Sequence, residues 1–221
     1  MKIKTYSYRY AEEILQHPKY KQAYDELIYV CQNTPLPVYE GKSKKQKGKD
    51  VIQQIMNTYF RLMFLNLGWE DEPLATPDSN EDSLRSDFKK TFINENGEKI
   101  TIQIEVEFGN VASSYRNYFK FQLSYSYNLT DICVLIVPSY SLSKRIDSGV
   151  SNFEKVLREI PSAKLSITVP TLVIGLYDDK SEWNLKTIEE DLNVLKNPKN
   201  KYEERHKQIV KNYIKEFIDV E

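Results

Sequence analysis

Two glutamates alternate with apolar residues in the segment ITIQIEVEF, which covers residues 100–108. Because successive side chains of a β-strand point to opposite faces, a strand here places Glu105 and Glu107 on one face, about 7 Å apart. The isoleucines of the segment point to the other face and are expected to enter a core. The segment therefore predicts a strand that carries two carboxylates on a polar face.

A preceding hairpin strand would add a third carboxylate. The chain on either side of Asn96-Gly97 has strand character, and this dipeptide is typical of tight β-turns. A three-residue loop at 95–97, with its glycine in the left-handed conformation, places Asp87 directly opposite Glu105 on the same face. A two-residue turn would send Asp87 to the other face. We predict the three-residue loop, or an equivalent bulge.

Three carboxylates on one face have a specific chemical use. Like charges that face each other destabilise a sheet, so a bound hard cation would explain their grouping. Mg²⁺ takes carboxylate oxygens, waters and substrate phosphate oxygens as ligands. The alternative is that the polar face meets solvent, as half-exposed sheets do, and the spacing alone favours this alternative.

Polar residues that suit phosphate or base contacts follow the second glutamate. Ser113 and Ser114 lie where a helix is predicted to begin, and the free N–H groups of a helix N-terminus attract phosphate. Asn110 and Arg116 can each form two hydrogen bonds to the edge of a base. Lys120 lies one turn beyond Arg116, so both side chains also fit an ordinary solvated helix face.

The composition indicates a folded chain and argues against several kinds of site. The 221 residues hold 31 Lys and Arg against 32 Asp and Glu, and they fit one domain with a sizeable core. No apolar run approaches the roughly 18 residues of a membrane span, and no signal peptide is expected. Two cysteines, interpreted as buried free thiols, and two histidines argue against a disulfide framework or a zinc site. The absence of a G-x-G-x-x-G or Walker A loop in the sequence argues against dinucleotide-binding or P-loop chemistry.

Helix and strand patterns together predict an α/β fold with a mixed sheet. Helical patterns cover 8–32 with a break near Pro18, 51–67, 110–127, 184–196 and 201–220, and 143–160 is expected as a loop followed by a helix. Strand patterns cover 87–93, 99–108, 131–137 and 169–177. Residues 70–82 are expected to form an acidic loop. Residues 41–49 hold five lysines, which suit either a solvated loop or an arm that contacts phosphates.

The segment IEVEFGNVASSYR, residues 104–116, resembles the active-site strand and recognition helix of type II restriction endonucleases of the BamHI, BglII and BstYI group. Further likeness, over roughly residues 8–177, is carried by AEEILQHPKYKQAYDELI, GKDVIQQIMNTYF, the Gly68-Trp69 pair, DICVLIVPSYSLSKRIDSGVSNFE and PTLVIGL. The resemblance implies a PD-(D/E)XK restriction-endonuclease-like fold, with a central mixed β-sheet flanked by helices. It implies a single endonuclease domain over 1–221, with its catalytic hairpin near 87–108 and its recognition helix near 113–127.

The same resemblance implies a Mg²⁺-dependent nuclease that cleaves both strands of a short DNA palindrome. Asp87 and Glu105 match the family's metal ligands, and the backbone carbonyl of Val106 would be a further ligand. Glu107 stands where most of this superfamily has lysine, so it is a third ligand, a base that orients water, or both. The family further implies a GATC core and cuts that leave 5′-phosphates on four-base 5′ overhangs.

DNA contacts are implied in the same way. Asn110 and Arg116 match family positions that contact the major groove. Some members carry an Asp-Arg pair that reads the outer base pair, and this sequence has Ser148-Gly149 there, so its outer base pair should differ or be relaxed. The predicted DNA-binding set comprises polar residues and a glycine of the recognition helix and a later loop: Asn110, Ser113, Ser114, Arg116, Lys120, Ser148, Gly149 and Ser151.

A homodimer on double-stranded DNA is expected, because a two-fold dimer places one active site on each strand of a palindrome. Helices near 121–127 and 151–160 are candidates for the dimer interface or for the core, because both carry large apolar residues at helical spacing: Phe121, Tyr125, Phe153 and Leu157. We also expect a companion DNA methyltransferase, a prokaryotic cytoplasmic location and no membrane association. The alternatives are a DNA repair or recombination nuclease of the same fold and a catalytically inactive DNA-binding relative.

Overall fold

A computed structural model describes residues 1–77, 84–163 and 166–218. Its helices and strands follow the chain in this order: β1 Lys2–Tyr8, α1 Ala11–Gln16, α2 Lys21–Gln32, β2 Leu36–Val38, α3 Gln53–Asn66, β3 Glu70–Asp71, β4 Phe88–Ile93, β5 Lys99–Val106, α4 Val111–Ser126, β6 Ile132–Pro138, α5 Tyr140–Ile146, α6 Phe153–Ser162, β7 Thr171–Tyr177, β8 Glu182–Asn184, α7 Leu192–Lys196 and α8 Glu203–Phe217. None of the described helices is long and apolar enough to cross a membrane.

The centre of the fold is a six-stranded sheet with the order β1-β7-β6-β5-β4-β3. Its neighbours β5, β6 and β7 run parallel. Strand β1 pairs antiparallel with β7, β4 pairs antiparallel with β5, and β3 pairs antiparallel with β4. Strand β6 is buried along its whole length, as its continuous apolar sequence requires. The predicted α/β fold with a central mixed sheet is therefore confirmed. A separate two-stranded sheet pairs β2 with β8.

The two faces of the sheet pack against different helices. Ile104 and Ile136 belong to a core shared with α1, α2, α3, α7 and α8. Leu135 and Val173 point the other way, into a core shared with α4 and α6. Leu135 pairs with Glu105 across the parallel strands, so the side chain of Glu105 lies on the face that α4 covers.

The β4–β5 hairpin has the predicted register. Asn94 N donates to Glu98 O at 3.0 Å and closes a three-residue loop. Gly97 in this loop has φ 79°, the left-handed conformation that the loop requires. Continuing the observed pairing by one residue places Asp87 opposite Glu105, so the prediction of a three-residue loop is confirmed.

The expected break near Pro18 is confirmed, because α1 and α2 are separate helices on either side of it. Two other helical predictions need correction. The prediction of one helix over 184–196 is wrong, since the side chains of Asn184 and Asp191 each accept a backbone N–H and start separate short turns. Residues 140–146, expected as loop at least from 143, form α5.

Strand β1 is absent from the sequence prediction. It pairs antiparallel with β7 along one edge of the sheet, from Lys2 opposite Tyr177 to Tyr8 opposite Thr171. Its sequence KIKTYSY is only partly buried and contains one aliphatic residue, so it lacks the continuous apolar run that identifies β6 and β7. The unpaired edge of β7 specifies this strand, and lysines on an edge strand also oppose further pairing.

Candidate active site

The polar face of β5 is buried, so the alternative that it meets solvent is wrong. Gln103 is 0%, Glu105 1% and Glu107 5% exposed. Helix α4 lies over this face, and Lys120 and Asn117 of that helix contact the two glutamates. Since several carboxylates are rarely buried together for stability alone, this burial favours a functional reason for them.

Asp87 is fixed at the start of β4 by backbone hydrogen bonds. Its Oδ2 accepts a hydrogen bond from Val106 N at 2.7 Å, and its carbonyl accepts one from Glu72 N at 3.0 Å. The side chain therefore points toward the end of β5, where Glu105 lies. Each of these contacts depends on the register that the three-residue loop sets.

Glu105 is bound at one oxygen and free at the other. Its Oε2 forms an ion pair with Lys120 Nζ, which also donates to the carbonyl of Arg85 at 3.1 Å. Its Oε1 is buried and has no hydrogen-bond partner among the described residues. A buried carboxylate oxygen without a donor is costly, and a cation would satisfy it.

Glu107 accepts a hydrogen bond at each oxygen. Gly109 N donates to Oε1 at 2.6 Å, and Asn117 Nδ2 donates to Oε2 at 3.0 Å. A Cβ atom on Gly109 would lie only 2.7 Å from Oε1, so the glycine permits the close approach of this carboxylate. The short loop after β5 therefore helps to set the position of Glu107.

Burial raises the pKa of all three carboxyl groups. The pKa of Glu105 rises to about 8, first because the group is buried and next because Asp87 is close, although Lys120 opposes the shift. Burial also raises the pKa of Asp87, with further contributions from the charges of Glu72 and Asp71, against the hydrogen bond from Val106. The pKa of Glu107 is raised mainly by burial. Carboxylates in this environment gain from a cation, which favours their ionised forms.

The carboxylate oxygens are of the kind that binds a hard cation, but the three groups do not surround one point in this structure. Within residues 1–77, 84–163 and 166–218, no three Asp, Glu, His or Cys side chains are grouped closely enough to hold a metal ion. Lys120 holds Glu105, and Gly109 with Asn117 holds Glu107. The unpartnered Oε1 of Glu105 and the carboxylate donor set nevertheless match the ligands that Mg²⁺ prefers.

A cavity of about 190 Å³ opens beside Asp87 and Val106. Its lining includes Arg61, Asp71 and Glu72, and Arg61 forms an ion pair with Asp71. Sequence reasoning placed the two acids only in an acidic loop over 70–82, of which 78–82 lie outside the described residues. The pairing of β3 with β4 brings both acids close to the hairpin, and this pairing is not visible in the sequence.

The two segments predicted to contact DNA lie together beside Glu107. The side chain of Asn110 caps α4 by accepting from Ala112 N at 2.9 Å. Val111 N donates to Gly149 O at 3.0 Å, and Ser151 N donates to Gly109 O at 3.1 Å. The start of α4 and the turn at 148–151 therefore form one surface next to Glu107.

The predicted DNA-binding residues divide by exposure. Asn110, Arg116, Ser148 and Gly149 are exposed, and Ser113 is half-buried. The other three are buried, so their contact with DNA stays a prediction that requires these side chains to become exposed: Ser114 (0% exposed), Ser151 (0%) and Lys120 (7%).

The predicted interface residues divide similarly. Phe121 and Phe153 belong to the core beneath α4 and α6, so their alternative assignment as core is correct. Tyr125 is exposed and Leu157 is partly buried. Tyr115 and Phe119, which sequence reasoning did not select, are the more exposed aromatic residues of α4.

The lysine-rich segment has two fixed lysines and three exposed ones. Lys42 Nζ donates to the carbonyls of Val51 and Ile146 at 2.6 and 2.7 Å. Lys49 forms an ion pair with Asp147 at 2.7 Å and a hydrogen bond with Ser148. These two lysines therefore support the turn that carries Gly149, while the exposed ones remain available for other contacts: Lys44, Lys45 and Lys47.

Comparisons with known proteins agree with the resemblance. The family model described as restriction endonuclease BglII/BglIII matches residues 3–176. The crystal structure of restriction endonuclease BglII complexed with a DNA 16-mer matches with 19% identity, a TM-score of 0.64 and coverage of 81% of this chain and 79% of that one. Free BglII matches with 16% identity, a TM-score of 0.54 and coverage of 81% of each chain. A search of curated proteins finds no significant match. The structural likeness confirms the fold, and the family match shows that this chain belongs to the BglII/BglIII family of type II restriction endonucleases.

Proposed function

We propose that this endonuclease uses Mg²⁺ to hydrolyse both strands of double-stranded DNA at a short palindrome with a GATC core. The products are expected to carry 5′-phosphates on four-base 5′ overhangs. The observation that carries the proposal is the placement of Asp87, Glu105 and Glu107 at one end of the β4–β5 hairpin. The exposed residues Asn110 and Arg116 follow Glu107 closely in the chain.

The carboxylates have distinct proposed roles. Asp87 and Glu105, with the Val106 carbonyl, would hold the cation, because they face each other and Glu105 Oε1 lacks a donor among the described residues. A bound Mg²⁺ supplies charge stabilisation at the scissile phosphate. Glu107 would orient the attacking water and accept its proton, or serve as a third ligand. The hydrogen bonds from Gly109 and Asn117 fix its carboxylate for either role.

Recognition is assigned to the exposed surface beside the site. Asn110 and Arg116 would contact base edges in the major groove, where both side chains can form paired hydrogen bonds. The turn at Ser148-Gly149 offers no long basic side chain for the outer base pair. An outer pair that is relaxed, or different from a G·C pair read by arginine, follows from this turn.

A homodimer would match the symmetry of a palindrome and place one active site on each strand. The exposed aromatic residues Tyr115 and Phe119 of α4 make that helix the proposed interface, in place of Phe121 and Phe153. A companion DNA methyltransferase is expected to protect the host's own sites and need not bind this chain.

The direct test is digestion of a plasmid of known sequence with purified protein, in Mg²⁺ and in EDTA, followed by sequencing of the ends. Discrete Mg²⁺-dependent fragments with GATC overhangs are expected. The double variant Glu105→Ala/Glu107→Ala should not cleave. Random nicking would favour a repair-type nuclease, and no cleavage by the wild type would favour an inactive DNA-binding relative. Cleavage by the double variant would show that the site is wrongly assigned.

Recognition is tested with Arg116→Ala on a set of sites that differ by one base pair. The variant should lose about 1–3 kcal/mol of discrimination at one base position. An equal loss of affinity on every sequence would reduce Arg116 to a phosphate contact.

A further inference from the structure

The helix that carries the proposed recognition residues also holds both glutamates of the site. Asn117 is 6% exposed, and its Nδ2 donates to Glu107 Oε2 at 3.0 Å. Three residues later on the same face of α4, Lys120 forms an ion pair with Glu105. Both side chains point from the helix to the sheet and are buried there, whereas Arg116 on the same helix is exposed.

In each glutamate, α4 contacts one carboxylate oxygen and leaves the other without a contact to the helix. Glu107 Oε1 is held by Gly109 N at 2.6 Å, from the loop that follows β5. Glu105 Oε1 has no hydrogen-bond partner among the described residues. Helix α4 therefore restricts the orientation of each carboxylate while leaving Glu105 Oε1 available to a ligand.

We propose that Asn117 and Lys120 are positioning residues that hold Glu107 and Glu105 in the orientation needed for phosphodiester hydrolysis, without contacting DNA. This inference rests on the proposed function. It gives Lys120, which the sequence suggested as a DNA contact, a different role. It also places recognition and catalysis on opposite sides of one helix, so a movement of α4 on DNA would move both carboxylates.

Substitutions that preserve shape separate positioning from folding. Asn117→Asp keeps the side-chain shape but replaces the donor to Glu107 with a carboxylate, and Lys120→Met keeps much of the length without the charge. Lys120→Arg retains the charge and should keep more activity than Lys120→Met. Lys211→Met removes the same charge from the exposed side of α8 and serves as the matched control.

The experiment measures single-turnover cleavage in Mg²⁺, and DNA affinity and base preference in EDTA. Cleavage by Asn117→Asp and Lys120→Met should fall on the order of 100-fold, because small misplacements of catalytic groups have effects of this size. Their base preference should stay at the wild-type value, and their DNA affinity should fall far less than cleavage, because each variant makes the site more negative by only one charge. Lys211→Met should behave as wild type throughout. Wild-type cleavage by both variants, or matched losses of DNA affinity and cleavage, would overturn the proposal.

A second readout needs neither metal nor DNA. The hydrogen bond from Gly109 N to the Glu107 carboxylate is short and charge-assisted, so the amide proton of Gly109 should resonate far downfield in an NMR spectrum. In Asn117→Asp, repulsion between the carboxylates should displace Glu107 and move this resonance upfield, and Lys211→Met should leave it in place. Failure of the wild type to cleave would reject the proposed function alone. A Gly109 resonance that does not move in Asn117→Asp would reject the positioning of Glu107 by Asn117, whether or not the wild type cleaves.

Discussion

Two clusters in this protein each contain three carboxylates and one basic side chain, with opposite consequences. In the first, the Arg145 cluster, the guanidinium donates to Asp50 at 2.9 and 2.7 Å, to Asp178 at 2.6 Å and to Glu182 at 2.7 Å. These side chains are 22–48% exposed, so water also solvates them. The hydrogen bond to Asp50 is the largest of the effects that raise the pKa of Arg145, which indicates a well-satisfied cation.

In the second, the Lys120 cluster, the basic group forms an ion pair with Glu105, whereas Asp87 and Glu107 are held by neutral donors. Burial raises the pKa of all three acids there. The two clusters have the same charge composition, so the geometry and the burial account for the difference. A satisfied network at the surface supports the fold, whereas a buried group of carboxylates in which Glu105 Oε1 lacks a donor among the described residues would gain from a cation.

The largest effect should come from Asp87→Asn. The amide can still accept the hydrogen bond from Val106 N, so the hairpin should keep its structure, but one proposed ligand charge is lost. We expect cleavage to fall to background while DNA affinity in EDTA is preserved or tightened, because repulsion with phosphate decreases. Cleavage assays and equilibrium binding check this. Asp178→Asn in the Arg145 cluster is the matched control and should cleave as wild type. Loss of DNA binding by Asp87→Asn would contradict the claim that the charge of Asp87 serves cleavage and repels phosphate.

The second prediction concerns pH. The pKa of Glu105 is about 8 in the folded protein and 4.5 when unperturbed, so the folded state binds more protons between these pH values. The free energy of unfolding of the metal-free protein should therefore fall as pH rises from about 4.5 to about 8, by at most about 1.4 kcal/mol per pH unit from this group. Urea denaturation in EDTA at several pH values measures the slope. Glu105→Gln should flatten it, and equal slopes in both proteins would count against the burial argument.

The third prediction breaks the satisfied cluster. Arg145→Met leaves three carboxylates close together without their shared cation, and the partly exposed positions limit the penalty. The free energy of unfolding should fall by about 1–3 kcal/mol. Urea denaturation at neutral pH measures it, with Lys211→Met as the control that should stay within about 0.5 kcal/mol of wild type. A similarly small effect of Arg145→Met would show that the network contributes little to stability.

The hairpin and the central strands could be predicted because local rules determine them. The loop at 95–97 fixes the register through the left-handed glycine, and that register alone brings Asp87 opposite Glu105. Strands β6 and β7 follow from continuous apolar runs. Strand β1 could not be predicted, because its formation depends on the free edge of a strand more than 160 residues away in sequence.

The parts of the site that sequence reasoning missed depend on how α4 sits on the sheet. Lys120 and Ser114 are polar residues on a helix whose apolar stripe is weak, so nothing local shows that their side chains are buried. The same holds for Asn117, which no motif in the sequence identifies. Glu72 reaches Asp87 only through the β3–β4 pairing. Each of these assignments needs the tertiary arrangement and cannot follow from spacing along the chain.

The smallest effect should come from Glu182→Gln, which removes the most exposed carboxylate of the Arg145 cluster. Glu182 is 48% exposed, so its ion pair with Arg145 should contribute only about 0.2–1 kcal/mol to the free energy of unfolding. The loss should shrink further at high salt, because screening weakens exposed pairs. Urea denaturation at two salt concentrations measures both effects. Asp87→Asn should change stability in the opposite direction, because it removes a buried charge that has too few partners. If both variants lost stability, the two clusters would not differ in the way their burial indicates.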